Sequence, residues 1–194
     1  MHFFCYIWPM AITNRENIAY QGKVIEVVEE TKEVGGKIVS FEFARRSPGV
    51  RIIIPTKDGK IILTRESRRE IDGEDIRLPG GKVFDTLEEY NAFLKSGGDI
   101  AKAAEAAAIK EALEEVGVTV DDLDLFAISK CGTSVEWDLY YFVVKTYAVG
   151  QQHLEPEENI TVVSTDIEDV QAMCLDGRIH EDRSALMLLR YLKS

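Results

Sequence analysis

The chain has 194 residues, of which 45% are hydrophobic and 29% charged, the make-up of one good-sized globular domain. Its formal charge of -11 argues against nucleic acid as a bulk electrostatic partner, because phosphate backbones require clustered Lys and Arg. A small phosphorylated ligand stays open, since it needs only a local basic group or a bound cation.

The opening "MHFFCYIWPM" is apolar but only about half the length of a membrane span. It has neither a basic n-region nor a small-residue cleavage site, so a packing strand or an N-terminal arm is expected, or a start at Met10. "YQGKVIEVVEETKEVGGKIVSFEFARR" reads as antiparallel strands. Its apolar run at 24–28 leads to a Gly35-Gly36 turn, after which Val39, Phe41 and Phe43 alternate with Ser40 and Glu42. "VRIIIP" and "KIILTRE" are expected to form a second hairpin across "TKDGK", with Asp58-Gly59 as a type I′ turn. Their Ile runs predict burial on both faces.

"IRLPGGKV" breaks the chain and leads into two helices. "TLEEYNAFLKS" opens on a Thr86/Glu89 capping-box pattern and stops before Gly97-Gly98. "DIAKAAEAAAIKEALEEV" starts from Asp99 as N-cap and ends at Gly117. "DLDLFAISK", "WDLYYFVVKTYAV" and "ITVVST" are predicted strands, "GQQHLEPEEN" an acidic loop, and "DIEDVQAMCLDG" and "EDRSALMLLRYLKS" helices. Elements mixed without regular βα alternation indicate an α+β or mixed-sheet α/β fold. Cys5, Cys131 and Cys174 show no CxxC spacing and read as reduced thiols of a cytoplasmic protein.

"IKEALEEVGV" at 109–118 is the anomaly. Glu111, Glu114 and Glu115 crowd the C-terminal end of a helix, where the backbone dipole is negative and like charges four residues apart repel. On a helical wheel Ile109, Ala112, Leu113 and Val116 form the apolar stripe, with the glutamates roughly opposite. Earlier turns of the acidic side carry Ile100, Ala104, Ala107 and Ala108. A solvated acidic face is the ordinary reading of such a run, yet it is not usually paved with alanine. Both sides are therefore expected to be covered. A hard divalent cation removes the penalty, since it takes carboxylate oxygens together with substrate phosphates.

"LPGGKV … AAIKEALEEVGV" resembles the Nudix box, G-x5-E-x7-R-E-U-x-E-E-x-G-U with U apolar. Gly81 matches the first Gly, and Glu111, Glu114, Glu115 and Gly117 match the second half. Two departures stand out. A segment at about 84–98 is inserted, and Lys102 and Lys110 stand where the family has Glu and Arg. Lysine lacks the bidentate fork of arginine, so Glu88, Glu89 or Asp99 is a candidate to brace the loop. The order of elements beyond the box is similar to the ADP-ribose and nucleotide-sugar pyrophosphatase branch. "LPGG" differs from the "PAG" ending common there, and Arg77 stands where that branch often has an acid.

The resemblance implies an α/β/α sandwich with a mixed central sheet and an N-terminal antiparallel extension. Residues 1–46 would form the arm and dimerising strands, and 47–194 the hydrolase domain. It implies Mg²⁺-dependent (or Mn²⁺-dependent) hydrolysis of a nucleoside diphosphate linked to another group, by a cytoplasmic homodimer without nucleic-acid or membrane partners. The alternative is a catalytically weak Nudix domain that binds a nucleotide as a sensor. Glu111, Glu115 and the Gly80 carbonyl would hold metal, with Glu114 supporting. Arg68, Arg65 and Arg46 are candidates for the substrate, as is Glu136. The general base would come from Glu155, Glu157 or Glu158, with Glu157 preferred. Trp137 or Tyr20 is a candidate to stack a base, against the plainer reading of packing.

Overall fold

The computed structural model describes residues 15–67, 73–156 and 158–194. The apolar opening lies outside them, as do two expected site residues, Arg68 and Glu157.

Three strands begin the described chain: β1 (Arg15–Gln21), β2 (Ile25–Val34) and β3 (Lys37–Arg46). They pair antiparallel, with Gly35 and Gly36 at φ 59° and 76° making the β2–β3 turn. Ala44 and Arg45 of β3 pair in parallel with β8 (Val135–Glu136), given that label because β4 to β7 precede it. The remaining strands are β4 (Gly49–Ile53), β5 (Lys60–Ser67), β6 (Glu74–Arg77), β7 (Val118–Ser129), β9 (Leu139–Val149) and β10 (Ile160–Asp166). Two mixed or antiparallel sheets result, ordered β4-β9-β7 and β10-β5-β6.

The expected hairpin of β4 with β5 forms only at its root. An isolated bridge joins Pro55 to Ile61 and Ile62 N–H donates to the Ile54 carbonyl, but β4 runs parallel to β9 instead. The turn between them is not type I′ either. Gly59 alone has positive φ (79°), its N–H donates to the Thr56 carbonyl, and the Thr56 hydroxyl accepts from Lys60 N–H. A single left-handed residue after an ordinary turn splays two strands that then join different sheets.

Alternation along the two central strands sorts the core. Val50, Ile52, Tyr140, Phe142 and Val144 face α2 (Ile100–Glu111), and Ile53, Leu139, Tyr141 and Val143 face α3 (Ile167–Asp176) and α4 (Asp182–Tyr191). All of β4 is buried, as its Ile run predicts. Helix on sheet on helix is thus an α/β/α sandwich, the fold class expected. No helix among the described residues is long and apolar enough to cross a membrane.

The wheel reading of α2 requires correction. Its core stripe is Ala104, Ala107, Ala108 and Ala112, continued by Val116, whereas Ile109 and Leu113 are exposed. The opposing strands supply the bulk in Tyr140, Phe142 and Ile52, so the helix contributes small residues and lies close. Glutamates that continue the alanine stripe are thereby carried to the edge of the core.

The inserted segment is α1 (Leu87–Ser96), with the Thr86/Glu89 capping box formed as read. Phe84 stacks on Tyr90 at 5.6 Å and meets Phe93 at 4.8 Å, and Asn91 donates to the buried Glu26 of β2 at 3.1 Å. Asp99 caps α2 through Ala101 and Lys102 N–H, as expected.

Candidate active site

The Pro79–Gly81 turn is tied to β4 by backbone bonds alone. Ile52 N–H donates to the Pro79 carbonyl and Val50 N–H to the Gly81 carbonyl, both at 2.9 Å. Gly80 has φ 145°, and a Cβ there would overlap the Val50 carbonyl, so only glycine lets the turn lie this close. Gly80 N–H, turned toward the helix, donates to Glu115 Oε2 at 2.7 Å. A Cβ on Gly81 would occupy the space of the Glu111 carboxylate. The two glycines thus open a slot that two carboxylates fill.

Glu115 is buried at 7% exposure and Glu111 is partly buried. Burial, opposed by the Gly80 bond, raises the Glu115 carboxyl to about 8, with Glu111 and Glu158 adding repulsion. Burial likewise raises Glu111 to about 7 despite Lys110. Glu114, partly buried, pairs with Lys110 at 3.1 Å. Raised carboxyls have a stability consequence whose sign is definite. The folded state keeps these protons to a higher pH than the unfolded chain, so their contribution is full below the ordinary carboxylate range. It is lost as pH rises through about 7 to 8. In chelator, the melting temperature should therefore fall between pH 6 and 8.5, and Glu115→Gln should flatten that fall. Parallel profiles for the two proteins in scanning calorimetry would refute it.

Helix α2 ends in a π turn, Ala112–Val116, closed by Gly117 at φ 71°. Such turns concentrate at functional sites. Its orphan carbonyls are satisfied by the loop that follows β9. Gln152 Nε2 donates to the Glu115 carbonyl (2.6 Å), His153 N–H to that of Glu114 (2.9 Å), and Gly150 N–H to that of Gly117 (2.7 Å). The helix end that looked unfavourable is thus capped from outside.

Glu111, Glu114 and Glu115 face a cavity of about 700 Å³ together with Gly80, Gly81, Arg46, Arg51, Arg77, Asp85, Glu155 and Glu158. On the wall opposite the helix, Arg51 makes a two-pronged ion pair with Glu181, both contacts at 2.8 Å, and also donates to the Val50 carbonyl. Burial raises the Glu181 carboxyl, but the Arg51 fork and Ser184 outweigh it, so the group lies below its usual range. Arg46 sits over the Trp137 ring at 4.4 Å.

Gly80, Glu111, Glu114, Glu115 and Arg46 are therefore brought together. Arg65 is not: it pairs with Glu74 at 3.4 Å, while its neighbour Glu66 faces the cavity, as strand alternation requires. Glu136 lies in a separate hollow of about 420 Å³, bonded to Arg45 at 3.0 Å. Trp137 lines the cavity beneath Arg46, whereas Tyr20 is exposed on β1. Glu88, Glu89 and Asp99 do not brace the loop; two of them serve as helix caps, and the backbone ties to β4 hold the turn. Sequence reading missed Arg51, Glu181 and Asp85, of which only the buried arginine within an Ile run carried a signal.

The acidic helix end and the arginine-bearing wall thus enclose one cavity. Residues 45–186 match the NUDIX domain model, and the chain belongs to that family. It is similar to an ADP-ribose pyrophosphatase of Bacillus subtilis (strain 168), 22% identical over 179 residues that cover 90% of this chain and 88% of that one. Its fold is similar to the crystal structure of an ADP compounds hydrolase, at a TM-score of 0.65 and 20% identity with 94% of each chain covered. Nudix hydrolases generally use divalent metal ions.

Proposed function

We propose that the protein hydrolyses the diphosphate bond of a nucleoside diphosphate linked to a second moiety, ADP-ribose or a nucleotide sugar, and releases a nucleoside monophosphate. The observation that carries this is the carboxylate pair Glu111/Glu115, seated against the glycine turn and facing the arginine wall across one cavity. The activity of the Bacillus subtilis relative points the same way.

Among the described residues, no three His, Cys, Asp or Glu side chains are gathered closely enough to hold a metal by themselves. The donor chemistry nevertheless suits a hard cation that shares its shell with phosphate oxygens and water: two carboxylates one turn apart, bonded to a glycine turn whose Gly80 carbonyl is a further oxygen. Glu111, Glu115 and that carbonyl would hold it, with Glu114 in support through Lys110. Bound Mg²⁺, or Mn²⁺ in its place, supplies charge neutralisation at the diphosphate and a more acidic water.

The chain's own residues do the rest. Arg46 binds diphosphate oxygens, joined by Arg68 from its expected place. The 154–158 loop supplies the general base; Glu155 and Glu158 line the cavity, and Glu157 lies between them in sequence. β1 to β3 expose Ile18, Val34, Ile38 and Phe41 and are assigned the dimer contact, so light scattering should give twice the chain mass. The free Cys131 and Cys174 accord with a cytoplasmic protein.

A panel of ADP-ribose and nucleotide sugars with Mg²⁺ at alkaline pH should release nucleoside monophosphate. Metal-independent binding without turnover would instead support the sensor reading. Gln variants at Glu155, Glu157 and Glu158 should locate the base by a kcat loss of about a hundredfold in one of them. Near-normal turnover in all three would exclude the loop.

A further inference from the structure

Three arginines among the described residues line the cavity, and acids already hold two of them. Arg51 forks onto Glu181, and Arg77 donates to Asp75. Arg46 makes no hydrogen bond or ion pair among the described residues, and its Nε is buried without a partner. Burial and the neighbouring Arg51 charge push its guanidinium below the usual arginine range. A partly buried cation without an acid is costly, so another kind of group must hold it.

Sheet register supplies that group. β3 and β8 pair in parallel with Arg45 opposite Glu136, so one residue further along Arg46 comes level with Trp137. Strand alternation sends the first pair into the 420 Å³ hollow and the second into the 700 Å³ cavity. The first is a salt bridge at 3.0 Å; the second is a guanidinium 4.4 Å from an indole ring. Trp137 is itself fixed. It packs against the core cluster that contains Leu139 and Tyr141. Arg183, bonded to Ser129, donates to the Trp137 carbonyl at 3.0 Å and lies 5.2 Å from its ring.

The two kinds of partner differ in what they leave over. A carboxylate occupies the N–H donors in the guanidinium plane and cancels the charge, as Glu181 does for Arg51. An aromatic face attracts the cation through its quadrupole and leaves the in-plane donors for another acceptor. Phosphate oxygens are such acceptors.

We infer that Trp137 is a positioning residue, an aromatic support that holds the Arg46 guanidinium toward the cavity with its charge and donors kept for the diphosphate. Trp137 is thereby assigned to a cation rather than to a nucleobase. The inference rests on the proposed hydrolase activity and adds the group that readies its arginine.

The test is a double-mutant cycle on the full chain with Mg²⁺, read as KM for ADP-ribose and as ADP affinity by calorimetry. Arg46→Ala should weaken both about thirtyfold, the loss of a charge-assisted contact. Trp137→Leu should weaken both about fivefold with kcat within about twofold, and Trp137→Phe should restore most of the loss. In the Arg46→Ala background, Trp137→Leu should weaken neither further, a result that a merely structural role would not give. A Trp137→Leu effect that persists in full without Arg46, or an Arg46→Ala chain as tight as wild type, overturns this inference alone. Should Trp137→Leu fail to fold, a Trp8→Phe chain decides, because Trp137 is then its only tryptophan. Saturating ADP should change its emission, and adding Arg46→Ala should remove most of that change; an equal change in both overturns the inference. A wild-type chain that neither binds ADP nor hydrolyses ADP-ribose overturns the hydrolase reading, and this inference with it.

Discussion

Glu115→Gln is expected to lower kcat by about 10²–10³-fold without disturbing the fold. Glutamine keeps an oxygen for the Gly80 N–H, so the 2.7 Å tie and the turn it holds persist. What disappears is the negative charge this buried carboxyl can carry, leaving Glu111 as the one charged group in the slot. Glu114→Gln should cost far less, because its charge is half-exposed and is already balanced by Lys110 at 3.1 Å. Steady-state kinetics across a Mg²⁺ titration, with circular dichroism as control, separates the two. A Glu115→Gln enzyme within threefold of wild type would remove this residue from the mechanism.

The largest effect on stability is expected at Arg51. It is 7% exposed, forks onto Glu181 with two 2.8 Å contacts, and bonds the Val50 carbonyl. Arg51→Met leaves the partly buried Glu181 charge without its arginine and should cost about 3 kcal/mol. Removing Glu181 as well should recover much of that, since two matched apolar groups avoid the desolvation penalty. The pH dependence has a definite sign. Glu181 lies below its usual range because of Arg51; without the arginine, burial pushes it upward. The deficit of Arg51→Met should therefore be greatest at neutral and higher pH and shrink as acid protonates Glu181. Denaturant unfolding at pH 5 and pH 8 measures both effects, and a loss below 1 kcal/mol at pH 8 would overturn the assignment.

Features encoded by local chemistry were legible in the sequence. Both helix caps at Thr86 and Asp99, the Gly117 stop and the Gly35-Gly36 turn were readable from residue type and spacing. The anomaly of a negative helix end was legible from periodicity, whereas the convergence of Glu111 and Glu115 on the glycine turn was implied only by the resemblance to the Nudix box. Features fixed by partners distant in sequence were not legible. Whether α2 turned its isoleucine or its alanines inward depended on the bulk of Tyr140 and Phe142. The 4–5 hairpin was outcompeted by a parallel pairing with residues 139–143, which no local pattern announces. Arg65 and Glu66 exchange faces with a one-residue shift in strand phase, so naming the wrong one is the natural error. Glu136 failed for another reason: Arg45, far away in sequence, had claimed it.

The strapping of residues 150–153 onto the helix end divides one loop into two parts with different freedom to vary. Its root is bound through Gly150, Gln152 and His153 to carbonyls of the acidic turn, and Gly117 approaches Gln151 so closely that any side chain there would displace it. Among the described residues of its tip at 154–158, none hydrogen-bonds the helix, and Glu155 and Glu158 face the cavity. Tip residues can be exchanged without moving the cavity-facing carboxylates, whereas any transplant of this loop must carry its root along. The tip can thus vary on its own, while the anchor and the helix end form one hydrogen-bonded unit.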